Sequence, residues 1–421
     1  MLDCVIVGAG PAGAVAGTVL ARAGVRVRLI DRATFPRNKL CGDTVNPGAL
    51  ARLEHLGMAG EVHARGLRVD GMRVTGERGV AIEGRYPDGV FGRAILRRDL
   101  DWLLLQCAIA AGCRFDDGVA VRGPLVQEAG GARAVRGVTV GARGREHALH
   151  ARVTLAADGR RSAIAFGLGL ARHPVSPRRW AIGAYYENFA PSETRNAKAA
   201  KAAKAGQDGE PEDSLRPLRS TSLLGEMHIR RGRYIGVAPV PGGLTNVCLV
   251  RPSHPGDAEL RDPAALLARE LQRDPMLRDR AAGARLAGAP VVLGPLAVDV
   301  NDGSIDGLLL AGDAAGFIDP MTGDGLRFAV RGGELAAAAV LRALEHGWSG
   351  VHDQLAAARR AEFGNKYRFN RVLRALVASP RAVDVAALAA RVTPAVLRAA
   401  IAHAGDCPPR PLVPCKEHTA T

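Results

Sequence analysis

The 421-residue chain is 47% hydrophobic and 24% charged, a balance that suits a folded globular protein and excludes an intrinsically disordered one. Aromatics supply only 4% of residues, so no nucleic-acid partner is expected, and no run approaches the ~18 apolar residues of a membrane span. Lysine and arginine outnumber the acids 57 to 42, and the resulting charge of +15 is spread along the chain, although it would favour peripheral contact with an anionic membrane.

The opening reads as a βαβ unit. Leu2 to Val7 is a strand-like apolar run, so no secretory leader is expected and the cytoplasm is the expected location. Gly8-Ala9-Gly10-Pro11-Ala12-Gly13 is a glycine turn, followed by apolar residues at helical spacing from Ala12 to Ala23. Gly24 ends that helix, and Val25–Ile30 is a second strand closing at Asp31 and Arg32. Gly8 allows the tight turn, Gly10 lets backbone approach a diphosphate, and Gly13 lets helix pack on strand. The helix N-terminus offers free N–H groups to phosphate, and Asp31 offers a carboxylate to a ribose.

A Pro-, Arg- and Gly-rich loop runs from Arg32 to Pro47, and Leu96 to Ala111 reads as a helix. Short β-prone pieces fill 114–155, and the buried strand Val153–Ala157 ends in Asp158-Gly159. From Pro174 to Val292 a mostly antiparallel sheet is expected, with strands at Trp180–Tyr186, Tyr234–Pro239 and Asn246–Val250. The Ala/Lys-rich stretch 191–217 has little to bury and is expected to be a mobile excursion. The strand Gly307–Leu310 then leads through Gly312-Asp313 into helices from Arg327 to Ala404, with Gly405 as C-cap. His228 and His254 read as surface histidines. Seven scattered cysteines without a CxxC pair point to reduced thiols and no metal site.

Three motifs in this order, the N-terminal glycine turn, Asp158-Gly159 and Gly312-Asp313, resemble the FAD-dependent class of aromatic hydroxylases, geranylgeranyl reductases and flavin-dependent halogenases. The resemblance implies an α/β fold: a Rossmann-like FAD-binding domain (1–173, completed by 293–340), interrupted by a β-rich substrate domain (174–292), with C-terminal helices and tail (341–421). It implies FAD as cofactor and NAD(P)H as a transient reductant. Asp313 would bind the ribityl and diphosphate region, and Asp158 and Gly159 would border FAD and the pyridine nucleotide. Arg97, in an Arg-x-x-Leu-Asp arrangement, would contact the phosphates. Val121 would flank the adenine through its backbone. In Asp319-Pro320-Met321-Thr322-Gly323-Asp324-Gly325-Leu326, the positions Pro320, Gly323, Gly325 and Leu326 would lie against the isoalloxazine ring.

The segment Lys39-Leu40-Cys41-Gly42-Asp43 is similar to the Lys-x-Cys-Gly-Gly stretch of the reductases, with Asp43 in place of the second glycine. Cys41 is accordingly the candidate catalytic residue. Tyr234 to Gly243 stands where the reductases carry a Tyr-x-Trp-x-Phe-Pro stretch, without its Trp and Phe. Two outcomes follow from the resemblance: reduction of a double bond in an apolar prenyl, lipid or polyketide-like substrate, or hydroxylation of an aromatic or polyketide-like ring with oxygen. The sequence leaves oligomeric state open.

Overall fold

The computed structural model describes residues 2–77, 80–87, 89–176, 178–192, 223–301, 303–318, 321, 323–378 and 393–407. Most of the expected mobile excursion and the tail beyond residue 407 lie outside the described residues. The mixed α/β architecture with a helical C-terminal region is the fold class expected from the sequence.

A seven-stranded sheet forms the first layer, with parallel strands Arg114–Asp116, Val27–Ile30, Leu2–Val7, Arg145–Ala156 and Leu308–Leu310 side by side. The strand Arg145–Ala156 serves twice. Its second half lies between Leu2–Val7 and Leu308–Leu310, while its first half pairs antiparallel with Ala132–Ala142, which in turn pairs with Val121–Ala129. Continuous apolar runs such as Cys4–Val7 are buried because helices cover the parallel part of this sheet. The helix Pro11–Arg22 starts with Pro in its first turn, and its small face lets it sit close: a Cβ on Gly17 would lie 3.0 Å from Cys113 Sγ. The helix Gly325–His346 crosses it at Gly333, where a Cβ would be 2.5 Å from the Ala12 carbonyl oxygen.

A ten-stranded sheet forms the second layer and draws strands from 44–94 as well as from 179–293. Its pairs are antiparallel except where Leu67–Thr75 runs parallel to Leu223–Arg230. The period-two alternation divides its centre into two faces. Ile182, Ile235, Val237, Val247 and Leu249 pack on Leu266, Leu267 and Leu271 of the helix Pro263–Arg273. The opposite face carries Ala181, Gly183, Gly236, Ala238, Asn246 and Cys248, mostly small residues.

His228 departs from the sequence expectation. It is 1% exposed, hydrogen-bonded to Thr75 Oγ1 at 2.8 Å through Nδ1 and to Glu226 Oε2 at 3.1 Å through Nε2. A histidine with both ring nitrogens satisfied loses little by burial, which the sequence around it does not reveal. His254 is exposed, as expected.

Candidate functional site

A cavity of about 250 Å³ opens beyond the carboxyl ends of the parallel strands, and the small-residue face of the second sheet forms its far wall. Gly10 follows the strand Leu2–Val7, Gly159 follows Arg145–Ala156, and Gly312 follows Leu308–Leu310, so three distant stretches meet at one opening. This is where open parallel sheets bind ligands. Gly10, Ala12, Cys41, Arg97, Gly159, Gly312, Asp313, Gly323, Gly325 and Leu326 line it.

Within the glycine turn the three positions differ. A Cβ on Gly8, whose φ is +99°, would lie 2.4 Å from the Ala157 carbonyl oxygen, and one on Gly13 would lie 1.9 Å from that of Gly8. These two shape the turn. Gly10 is open instead: a Cβ there would meet only Arg37 Nη2, at 3.5 Å. The helix behind it has no side-chain cap, so its first N–H groups face the cavity side without an internal partner. Asp31 accepts the Ala9 N–H through Oδ2 and the Ala33 N–H through Oδ1, both at 2.9 Å, which fixes the carboxylate at the strand end. Arg32 beside it is exposed.

Asp158 accepts the Ala163 N–H at 2.8 Å through Oδ2. Its other oxygen is buried without a protein partner, and burial raises its carboxyl above the usual range against the Ser162 hydrogen bond. Asp313 is flanked by cations: it favours the charged forms of Lys39 and Arg160, which burial and neighbouring arginines push down. Burial and then Arg161 bring Arg160 to about 10. An open glycine, free helix amides, an orphan carboxylate oxygen and Lys39 with Arg160 together suit a ligand carrying both diphosphate and hydroxyl groups.

Arg97 lines the cavity with part of its guanidinium already engaged. Its guanidinium forks onto Asp101, with Nε to Oδ1 at 2.9 Å and Nη2 to Oδ2 at 3.1 Å, and Arg37 Nη1 reaches the same carboxylate at 3.0 Å. The i,i+4 spacing within Arg-x-x-Leu-Asp carried that signal. Cys41 lies within hydrogen-bonding reach of the Arg97 side chain. Val121 sits in the outer strand Val121–Ala129, away from the cavity. Pro320 lies outside the described residues. Asp324 makes no side-chain cap; it is 2% exposed, with Lys366 Nζ at 3.2 Å and Asn370 Nδ2 at 3.2 Å. Sequence reasoning missed Lys39 and Arg160, although both adjoin motifs it had singled out.

Residues 1–220 match the family described as FAD binding domain. The chain is 30% identical to the menaquinone reductase of Mycolicibacterium smegmatis, over 80% of this chain and 75% of that protein. It is 29% identical to the geranylgeranyl diphosphate reductase of Rhodobacter capsulatus, over 82% of this chain and 76% of that protein. Among solved structures, the flavin-dependent brominase Bmp2 superposes with a TM-score of 0.77 at 20% identity, covering 96% of this chain and 94% of that one. By family match, relatives and fold, this chain belongs to the FAD binding domain family and is an FAD-dependent oxidoreductase.

Proposed function

We propose that the protein takes electrons from NAD(P)H and reduces a double bond in an apolar prenyl-, lipid- or polyketide-like substrate. The observation that carries this reading is the junction of two walls in one cavity: the strand-end glycines and Asp313 on one side, and small and apolar residues with Cys41 on the other. The names of the two reductase relatives support reduction over hydroxylation. FAD supplies the hydride chemistry when bound.

The chain's own residues then have distinct tasks. The amides at Gly10 and Ala12 would receive the diphosphate, in a turn shaped by Gly8 and Gly13, and Asp31 would hold the ribose. Asp158, Gly159, Gly312 and Asp313 would hold the central part of the cofactor, with Gly323, Gly325 and Leu326 beside the ring. Cys41, backed by Arg97, would face the reacting substrate. Arg32 and Val121 would serve the adenine end, and Val121 only through its strand. The apolar wall would keep bulk water from the reacting groups. Among the described residues no helix is long and apolar enough to cross a membrane. An apolar substrate held in lipid would therefore be collected by transient docking of the basic surface, which salt should weaken in vesicle binding.

The test is a visible absorption spectrum before and after anaerobic NADPH, followed by addition of a polyprenyl substrate. Bleaching by NADPH and substrate-dependent recovery without oxygen are expected. Turnover that stops without oxygen overturns the reductase assignment in favour of hydroxylation. Protein that stays colourless after reconstitution overturns the cofactor placement.

A further inference from the structure

The cavity wall that carries Cys41 is held by a buried cluster which the reading above does not use. Asp43 is 0% exposed, and its φ of +52° lies in the left-handed region that Asp, Asn and Gly tolerate best. Its carboxylate meets donors from three elements. Oδ1 accepts the Arg97 N–H at 3.0 Å, where the helix Arg97–Ala110 begins. Oδ2 accepts from Asn246 Nδ2 on the strand Leu244–Pro252, and the Tyr185 hydroxyl on Arg179–Glu187 donates to the same carboxylate. Tyr185 and Asn246 stand directly opposite in the antiparallel register, so their side chains leave the sheet together. The Asn246 amide also donates to the Cys41 carbonyl at 2.7 Å.

We propose that Asp43 is a positioning residue whose carboxylate ties the Cys41 loop to the helix at Arg97 and to the second sheet, and whose protonation loosens that tie. This rests on the reading of the cavity as the reactive site. A protonated carboxyl turns one acceptor oxygen into a donor. The Tyr185 hydroxyl can reverse and accept that proton, while the Arg97 N–H keeps the other oxygen. Asn246 keeps its Nδ2 toward Asp43 because the same amide donates to the Cys41 carbonyl, so its bond to Asp43 is the one weakened, and the Asn246 brace on Cys41 loses its anchor.

The surroundings set where this happens. Burial raises Asp43 to about 6, against the hydrogen bonds from Tyr185, Asn246 and the Arg97 N–H and the Arg97 charge. The charged and titratable neighbours are Arg97 with its partner Asp101, Tyr185, Cys248 on the same strand as Asn246, and Lys39 and Cys41 in the same loop as Asp43.

The test follows iodoacetamide labelling of Cys41 in purified flavin-loaded protein between pH 5 and 8, read by peptide mass spectrometry as a ratio to Cys107. In the unmodified protein the ratio should rise several-fold as pH falls from 7.5 to 5.5, with a midpoint near 6. In Asp43→Gly, which suits the positive φ, and in Asp43→Asn, the ratio should be high and flat. A flat ratio in the unmodified protein overturns the proposal, and so does the same inflection in both variants. If the variants fail to fold, the unmodified protein's profile decides alone. Flavin absorbance is recorded on each sample: loss of flavin counts against the proposed function, while the labelling ratio still decides the role of Asp43.

Discussion

Buried carboxyls in this protein are driven in opposite directions by their neighbours. Asp43 is held up at about 6 by burial, while Glu226, which burial alone would also raise, is brought to about 2 by hydrogen bonds from His228 and Arg280. The two therefore contribute to stability with opposite sign. A raised acid pKa means the native state binds the extra proton, so Asp43 lowers stability as pH climbs from the usual 3.8 of an aspartate to about 6, by on the order of 3 kcal/mol. Glu226 stabilises above the usual 4.5 of a glutamate and loses that contribution as pH falls toward 2. Denaturant melts across pH should show Glu226→Gln less stable at pH 7 and converging with the parent near pH 2. Asp43→Asn should remove the downward slope between pH 4 and 6. At the proposed cofactor contact, Asp313→Ala deletes a charge-assisted hydrogen bond worth about 1.5–3 kcal/mol, so retention of flavin after gel filtration should fall roughly tenfold to a hundredfold. Unchanged flavin content would remove Asp313 from its place.

At the level of strands and helices, the small-residue face of the second sheet sets the shape of the cavity. A Cβ on Gly236 would have nothing closer than the carbonyl oxygens of Cys248 at 3.9 Å and Glu226 at 4.0 Å, so a side chain there projects into open space. Gly183 is the opposite case, since a Cβ would meet Leu40 Cδ1 at 2.0 Å. Gly236→Leu should raise KM for a long apolar substrate several-fold and leave the flavin spectrum unchanged, whereas Gly183→Leu should displace the loop that carries Cys41. The glycine turn was legible in the sequence because its spacing is dictated by a strand, a turn and a helix that are consecutive. The cavity face was not, because alternation of small and large residues marks two faces without saying which one meets a ligand. His228 shows the same limit: its partner Thr75 lies 153 residues away, and nothing local announces the burial.

Across the whole molecule, the two-sheet arrangement was legible in outline and hidden in its seams. The return of the chain to the first sheet at Leu308–Leu310 could be read from the Gly312-Asp313 motif. The parallel pairing of Leu67–Thr75 with Leu223–Arg230 could not, since non-local pairing leaves no periodic trace and residues 44–94 look locally like part of the first layer. The central strand ending at Ala156 has one neighbour beginning at Leu2 and another beginning at Leu308. Completion of the cradle therefore waits until nearly three-quarters of the polypeptide has left the ribosome. Coenzyme capture is thus a late event in biosynthesis, and truncated chains ending before residue 308 should retain no flavin after gel filtration, while chains that extend past Leu326 should retain it.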